Sequence, residues 1–209
     1  MNIHKIYEPF LRYFRRKRMR EFENIFSIND SIRILDVGGD QFNWQFINSK
    51  PIITILNIEK PNDWVNNSQF EFVIGDATKL NFADKSFDIV YSNSVIEHLF
   101  TKENQVKMAN EVIRVGKRIY IQTPAKEFFI EPHLLTPFIH WLPIHIQKIL
   151  MKNFTIWGLI TRPSREYIER FLAERRLLTF KEFCELFPDC EIKVERFLFM
   201  PKSYIAIKK

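Results

Sequence analysis

Glycine is scarce in this chain, with five in 209 residues. Most tight turns must therefore be built from other residues, and each glycine invites an explanation. Cysteine is scarcer still. Cys184 and Cys190 stand at neither a CxxC nor a zinc-ligand spacing, which excludes a disulfide framework and makes a reduced, cytoplasmic compartment the expectation. No apolar run approaches the ~18 residues of a transmembrane helix. The charged N-terminus is not followed by the apolar core of a secretory leader. Fixed-period repeats and low-complexity tracts are absent.

What is present is an aromatic-rich globular composition, 46% hydrophobic with 21 Phe, enough for one well-filled domain. The net charge of +6 is unevenly spread. Lys5, Arg12, Arg15, Arg16, Lys17, Arg18 and Arg20 face a single Glu8 between Met1 and Arg20, which accounts for the whole excess. Residues 5–26 also repeat Ile6, Phe10, Phe14, Phe22 and Phe26 at helical spacings. Residues 1–30 thus read as a basic amphipathic helix, able to rest on anionic lipid, bind phosphate or cap the domain.

From 31 to 209 the pattern is that of one α/β domain. Strands are expected over 32–37, 52–58, 70–74, 87–92 and 117–123. Helices are expected over 40–49, 94–99 and 102–115, the last stopped by Gly116. Alternation of this kind predicts a doubly wound, mostly parallel sheet. Two closing strands, 190–199 and 203–208, predict an antiparallel edge pair and seven strands in all. Thr179 with Glu182 forms a capping box for a helix over 180–187, preceded by a charged helix from Ser164 to about Leu178. Between Pro124 and Pro163 lie five of the ten prolines and three of the five histidines. This span reads as a helical lid over the active edge, or as a homodimer face.

The glycines carry the sharpest signal. Ile32 to Gly39 is an apolar run ending in Asp36-Val37-Gly38-Gly39, which lets the chain turn sharply and a ligand approach the backbone. Asp40 follows. Glu59 ends the second strand about twenty residues later, where a carboxylate can accept from two ribose hydroxyls. Asp76, with Ala77, follows the third strand. Ser92, Asn93, Ser94, Glu97 and His98 follow the fourth. These four positions, in order and spacing, resemble a class I S-adenosylmethionine-dependent methyltransferase of the small single-domain type 11 group. The resemblance covers Ile32 to the C-terminus and implies a Rossmann-like fold with S-adenosyl-L-methionine as cofactor. It implies a cofactor site of Asp36, Gly38, Gly39, Glu59, Asp76, Ala77, Ser92 and Asn93. The family's last glycine is missing; Phe42 or Trp44 fills that place.

Methyl transfer needs alignment and, for a hydroxyl acceptor, a base. The stretch from Thr123 to His133 leaves the fifth strand directly, so His133, oriented by a carboxylate such as Glu131, is the favoured base, with His98 second. His140 and His145 read as structural. Ser94-x-x-Glu97-His98 lacks the first carboxylate of a divalent-ion motif, so no metal is assigned. The expected function is methylation of a small-molecule acceptor, through oxygen, in the biosynthesis of a glycan, lipid-linked or secondary metabolite. The alternatives are a non-catalytic cofactor-binding or membrane-surface adaptor, and an RNA methyltransferase. The absence of an interleaved basic and aromatic platform argues against nucleic acid as a partner.

Overall fold

The computed structural model describes residues 4–62, 64–65, 67–131, 134 and 136–209, with side chains from Arg12 onward. Seven strands form one sheet in the order β3-β2-β1-β4-β5-β9-β8. These are β1 (Arg33–Val37), β2 (Ile52–Asn57), β3 (Phe70–Ile74), β4 (Phe87–Asn93), β5 (Gly116–Pro124), β8 (Glu191–Phe197) and β9 (Met200–Lys208). The first five are parallel; β9 runs antiparallel to β5, and β8 antiparallel to β9. The strand order turns back at β1, whose two neighbours are β2 and β4. In such sheets the ligand crevice lies outside the carboxyl ends at that point.

One face of the sheet is covered by α1 (His4–Phe26). Met19, Phe22 and Phe26 recur at three and four residues and bury one stripe against Ile34, Ile55, Tyr91 and Tyr120. Phe22 lies 5.1 Å from Tyr91 and 5.2 Å from Tyr120, ring centre to ring centre. The other face carries α2 (Lys102–Val115) and α6 (Phe180–Leu186). Met108, Ala109, Val112 and Val115 make the buried stripe of α2, and Thr101 caps it by accepting from the Asn104 N–H. Thr179 and Glu182 form the expected capping box at α6.

The crossovers differ from expectation. Between β1 and β2 there is a single 3-10 turn, Asn43–Phe46, in place of a helix over 40–49. The segment after β4 is also a 3-10 turn, Ile96–His98. Among the described residues, β2–β3 and β3–β4 are joined by loops. The reason is local. Each of these segments is too short or too rich in Asn and Asp turns to close several helical turns. Trp44, Phe46 and Trp64 supply the missing cover as single aromatic side chains.

The Pro-rich span after β5 is only partly helical. It opens with a small hairpin of β6 (Ile130–Glu131) and β7 (Thr136–Pro137) and a 3-10 turn, Ile139–Trp141. Then come α3 (Ile144–Phe154) and α4 (Ile156–Thr161). The next helix, α5 (Arg165–Ala173), ends earlier than the charge pattern suggests. Leu134, Ile139, Met151, Trp157, Ile168 and Phe171 form a separate small core. The lid's packing therefore continues past Pro163 into α5.

Candidate active site

Gly38 has φ +74°, and a Cβ there would stand 2.6 Å from the Val95 side chain. A left-handed backbone and a close approach both require glycine at this point. The contact joins the loop after β1 to the loop after β4 across the reversal of strand order. A Cβ on Gly39 would stand 2.1 Å from the Asp36 carboxylate. The two glycines thus make room first for the protein's own side chains.

Asp36 is fully buried. Its Oδ2 accepts from Trp44 Nε1 at 2.8 Å, while Oδ1 has no hydrogen-bond partner among the described residues. Burial pushes its carboxyl up to about 8, against the Trp44 hydrogen bond and with the help of Asp40. A buried carboxyl with an unused oxygen, beside two glycines, suits a cationic ligand. Trp44 occupies the place expected for an aromatic residue after the glycines. Gln41 stands where the missing glycine would be. Its side-chain amide donates to the Val65 carbonyl at 2.8 Å and accepts from the Val65 N–H at 3.0 Å. This two-point clamp joins the loops after β1 and β2.

The clamp borders two adjoining hollows of about 440 and 380 Å³, which share Asn57 and Pro61. The first is lined by Gly38, Gly39, Phe42 and Trp64, among others, and the second by Glu59 and Lys60. Glu59 is exposed. Asp76 lies after β3 and uses Oδ1 to accept from both the Thr78 N–H and hydroxyl at 2.8 Å. Ala77 beside it is buried. Ser92 is turned inward, its hydroxyl donating to the Val37 carbonyl at 2.9 Å.

Asn93 is held from the far side by α1. Arg18 is buried, donates through one terminal nitrogen to Asn93 Oδ1, and through the other to Glu195 Oε2 at 2.9 Å. Glu195 also receives Lys202 Nζ at 2.9 Å and the Ser203 hydroxyl at 2.8 Å. Burial opposes every charge here. Even so, Arg18 and Lys202 bring the Glu195 carboxyl down to about 2, and Glu195 holds Arg18 above its ordinary value. Burial lowers Lys202. This cluster escaped the sequence reading, although Arg18 next to Met19 on the buried stripe of the helix is its signature. Glu23, one turn after Met19, likewise accepts from the backbone of Asn48 and Ser49 at 2.8 Å, fastening the helix to the β1–β2 loop.

The catalytic candidates lie nearer the lid. Glu97 is fully buried and accepts from the Thr123 hydroxyl at 3.0 Å; its carbonyl accepts from the Arg176 N–H at 2.7 Å. His98, half-buried, ends the 3-10 turn with its N–H on Val95. Glu131 is buried, accepts from the Leu134 N–H at 2.6 Å, and lines a third cavity of about 240 Å³. Lys126, Leu134, His140, Arg175 and Arg176 line it too. Arg175 lies 3.4 Å over the Phe171 ring, and burial lowers its pKa against the charges of Glu131 and Glu97. His133 lies outside the described residues, between Glu131 and Leu134. His140 Nε2 and Trp141 Nε1 both donate to the Lys126 carbonyl at 3.0 Å. That contact and burial, which lowers its pKa, make His140 a neutral pin for the lid. No cluster of three or more His, Cys, Asp or Glu side chains able to hold a metal occurs among the described residues.

A seven-stranded sheet of this order, with a glycine turn after β1 and an acidic residue after β2, is the class I methyltransferase architecture. Residues 49–120 match the family model described as a methyltransferase domain. A SAM-dependent methyltransferase from Archaeoglobus fulgidus superposes with a TM-score of 0.63 at 14% identity, covering 100% of both chains. Magnesium protoporphyrin IX methyltransferase from Synechocystis, with bound SAH, superposes with a TM-score of 0.56 at 10% identity, covering 93% of this chain and 83% of its own. A putative methyltransferase of an antibiotic biosynthesis pathway from Anabaena variabilis gives 0.54 at 16% identity, over 92% and 97%. No curated protein matches the chain. The domain match over residues 49–120 and the shared fold make the chain similar to class I S-adenosylmethionine-dependent methyltransferases.

Proposed function

We propose that the chain is an S-adenosyl-L-methionine-dependent methyltransferase acting on an oxygen of a small molecule held in the 240 Å³ lid cavity. The observation that carries the reading is that Glu131 and Leu134, which bracket His133 in sequence, both line that cavity. The volume lies just below the ~300–1,000 Å³ of small-molecule pockets. It is far from the open basic groove a polymer requires. Lys126, Arg175 and Arg176 give the wall a positive character suited to an oxygen-rich or anionic acceptor, such as a glycan, lipid-linked or secondary metabolite.

In this reading Gly38 and Gly39 admit the amino-acid end of the cofactor to the backbone. Glu59 accepts from the ribose hydroxyls, and Asp76 with Ala77 receives the adenine. Asp36 contributes a buried carboxyl oxygen, and Asn93 completes the wall next to the reacting centre, backed by Ser92, whose hydroxyl holds the end of β1. When bound, the cofactor supplies an electrophilic methyl on a sulfonium sulfur. His133, oriented by Glu131, removes the acceptor's hydroxyl proton, with His98 as the second candidate base. Alignment contributes most of the acceleration and proton removal about 10²–10⁴-fold.

The test is an acceptor screen followed by kinetics of His133→Ala and Glu131→Gln. Loss of turnover by about 10²-fold or more, with unchanged affinity for S-adenosylhomocysteine, is expected. Unchanged turnover in both variants would remove them as base and orienting group.

A further inference from the structure

Between Glu131 and Glu166 the chain contains no acidic residue, while Lys148, Lys152, Arg162 and Arg165 fall within it. The same span carries large apolar side chains in solvent. Ile149 is 69% exposed, Phe154 69% and Leu159 61%, with Ile144 and Ile156 about half exposed. Met151 of α3 and Trp157 of α4 pack into the small lid core, so these exposed side chains are turned away from it. On α3, His145, Lys148, Ile149 and Lys152 follow at spacings of three and four, which sets an apolar residue among cations on one strip. An exposed apolar patch with a basic rim is the pattern of a helix that lies in a membrane interface.

The other basic element is engaged in part, although Lys17 and Arg20 stay exposed. Arg12 and Arg15 lie over the Phe42 ring and Arg16 over Phe46, and Arg18 is buried. The buried stripe of α1 faces the sheet. From Arg12 onward, that helix has its apolar side committed to the core.

We propose that α3 and α4 form a docking face for an anionic lipid surface. Ile149, Phe154 and Leu159 enter the headgroup–acyl boundary, and Lys148, Lys152 and Arg162 meet lipid phosphates. Glu169 of α5 offsets part of this charge, lying 3.4 Å from Lys148 and 3.5 Å from Arg165. A second copy of the chain is a poorer occupant. A two-fold interface sets the same patch against itself, and with no acid between residues 131 and 166 this opposes cation to cation. The face is continuous with the acceptor cavity, because Ile144 and Gln147 of α3 line it. The inference stands on exposure and charge, and it holds whatever the acceptor is.

The test is flotation of the full chain with vesicles of phosphatidylcholine alone and of phosphatidylcholine with phosphatidylglycerol, alongside light scattering without lipid. Binding to the mixed vesicles that weakens with salt is expected. Ile149→Asp with Phe154→Asp should weaken it by about tenfold or more, with the melting curve unchanged because both residues are exposed. Lys148→Glu and Lys152→Glu should each weaken it by about fivefold. The proposal is overturned by absence of wild-type binding to either vesicle. It is equally overturned if binding survives Ile149→Asp with Phe154→Asp, or is lost only on Arg16→Glu with Lys17→Glu in α1. A dimer that Ile149→Asp dissociates, without vesicle binding, would assign the face to a second copy instead.

Discussion

Trp44 Nε1 donates to the buried carboxylate of Asp36 at 2.8 Å. The bond spans the turn that carries Gly38 and Gly39 and ties the loop after β1 to that strand. It also leaves a titratable group in the core, poised at about 8.

That value has a consequence for stability. A carboxyl whose pKa is raised by folding is fully compatible with the native state only when protonated. Its contribution is complete below the ordinary value of 3.8 and is lost as pH rises through about 8. In that window the slope is up to about 1.4 kcal/mol per pH unit. Asp36→Asn should flatten it and should be more stable than the wild type at pH 8. Urea unfolding at several pH values measures this; parallel curves for the two proteins would refute the assignment.

The glycine turn predicts an asymmetric rescue. Gly38→Ala introduces a Cβ 2.6 Å from Val95 and Gly39→Ala one 2.1 Å from Asp36. Both should destabilise by about 1–3 kcal/mol and weaken cofactor binding. Val95→Ala should recover part of the Gly38→Ala loss by removing the clash, leaving the positive-φ strain. It should recover none of the Gly39→Ala loss. Melting temperatures of the single and double variants decide this, and equal recovery would contradict the stated geometry.

The Arg18–Glu195 pair makes a third prediction. Removing one partner strands the other charge in the core, which costs about 3–5 kcal/mol. Arg18→Met and Glu195→Gln should each be that severe, and the double variant much less than their sum. Glu195 is depressed to about 2, so its contribution is present above pH 4.5 and lost as pH falls towards 2. Glu195→Gln should therefore be less sensitive to acid than the wild type. Additive losses in the double-mutant cycle would show that the pair is not coupled.

Glu59 separates binding from folding. It is exposed beside the cleft, so Glu59→Ala should leave the melting temperature within about 0.5 kcal/mol of wild type. In the proposed role it should weaken S-adenosylhomocysteine binding by about 1.5–3 kcal/mol, the worth of hydrogen bonds to a charged group. Thermal unfolding reads the first quantity and calorimetric titration the second, and unchanged affinity would remove Glu59 from the site.

The place of the candidate site residues at the strand ends was legible before the fold. Gly38 and Gly39, Glu59 and Asp76 each follow a strand whose β-branched and aromatic run marks its own end. The Thr179–Glu182 cap was legible for the same reason, since both partners lie within one turn. Less legible were the segments 40–49 and 94–99. Their apolar residues suggest a helix, but each is too short or too rich in Asn and Asp turns for more than a 3-10 turn. The hairpin of β6 and β7 was hidden by prolines, which mark breaks without saying what forms between them.

The sequence by itself determined the strands, the α6 cap and the glycine turn, because each depends on residues within a few positions of one another. Tertiary structure alone decided the rest. It brought Arg18 across 75 residues to Asn93, and Gln41 across 24 to Val65. It buried Asp36, turned Ser92 away from the cleft, and left Ile149, Phe154 and Leu159 outside the core. Desolvation and long-range pairing act through space, so their outcome is set only when the sheet and its covering helices have closed around these groups.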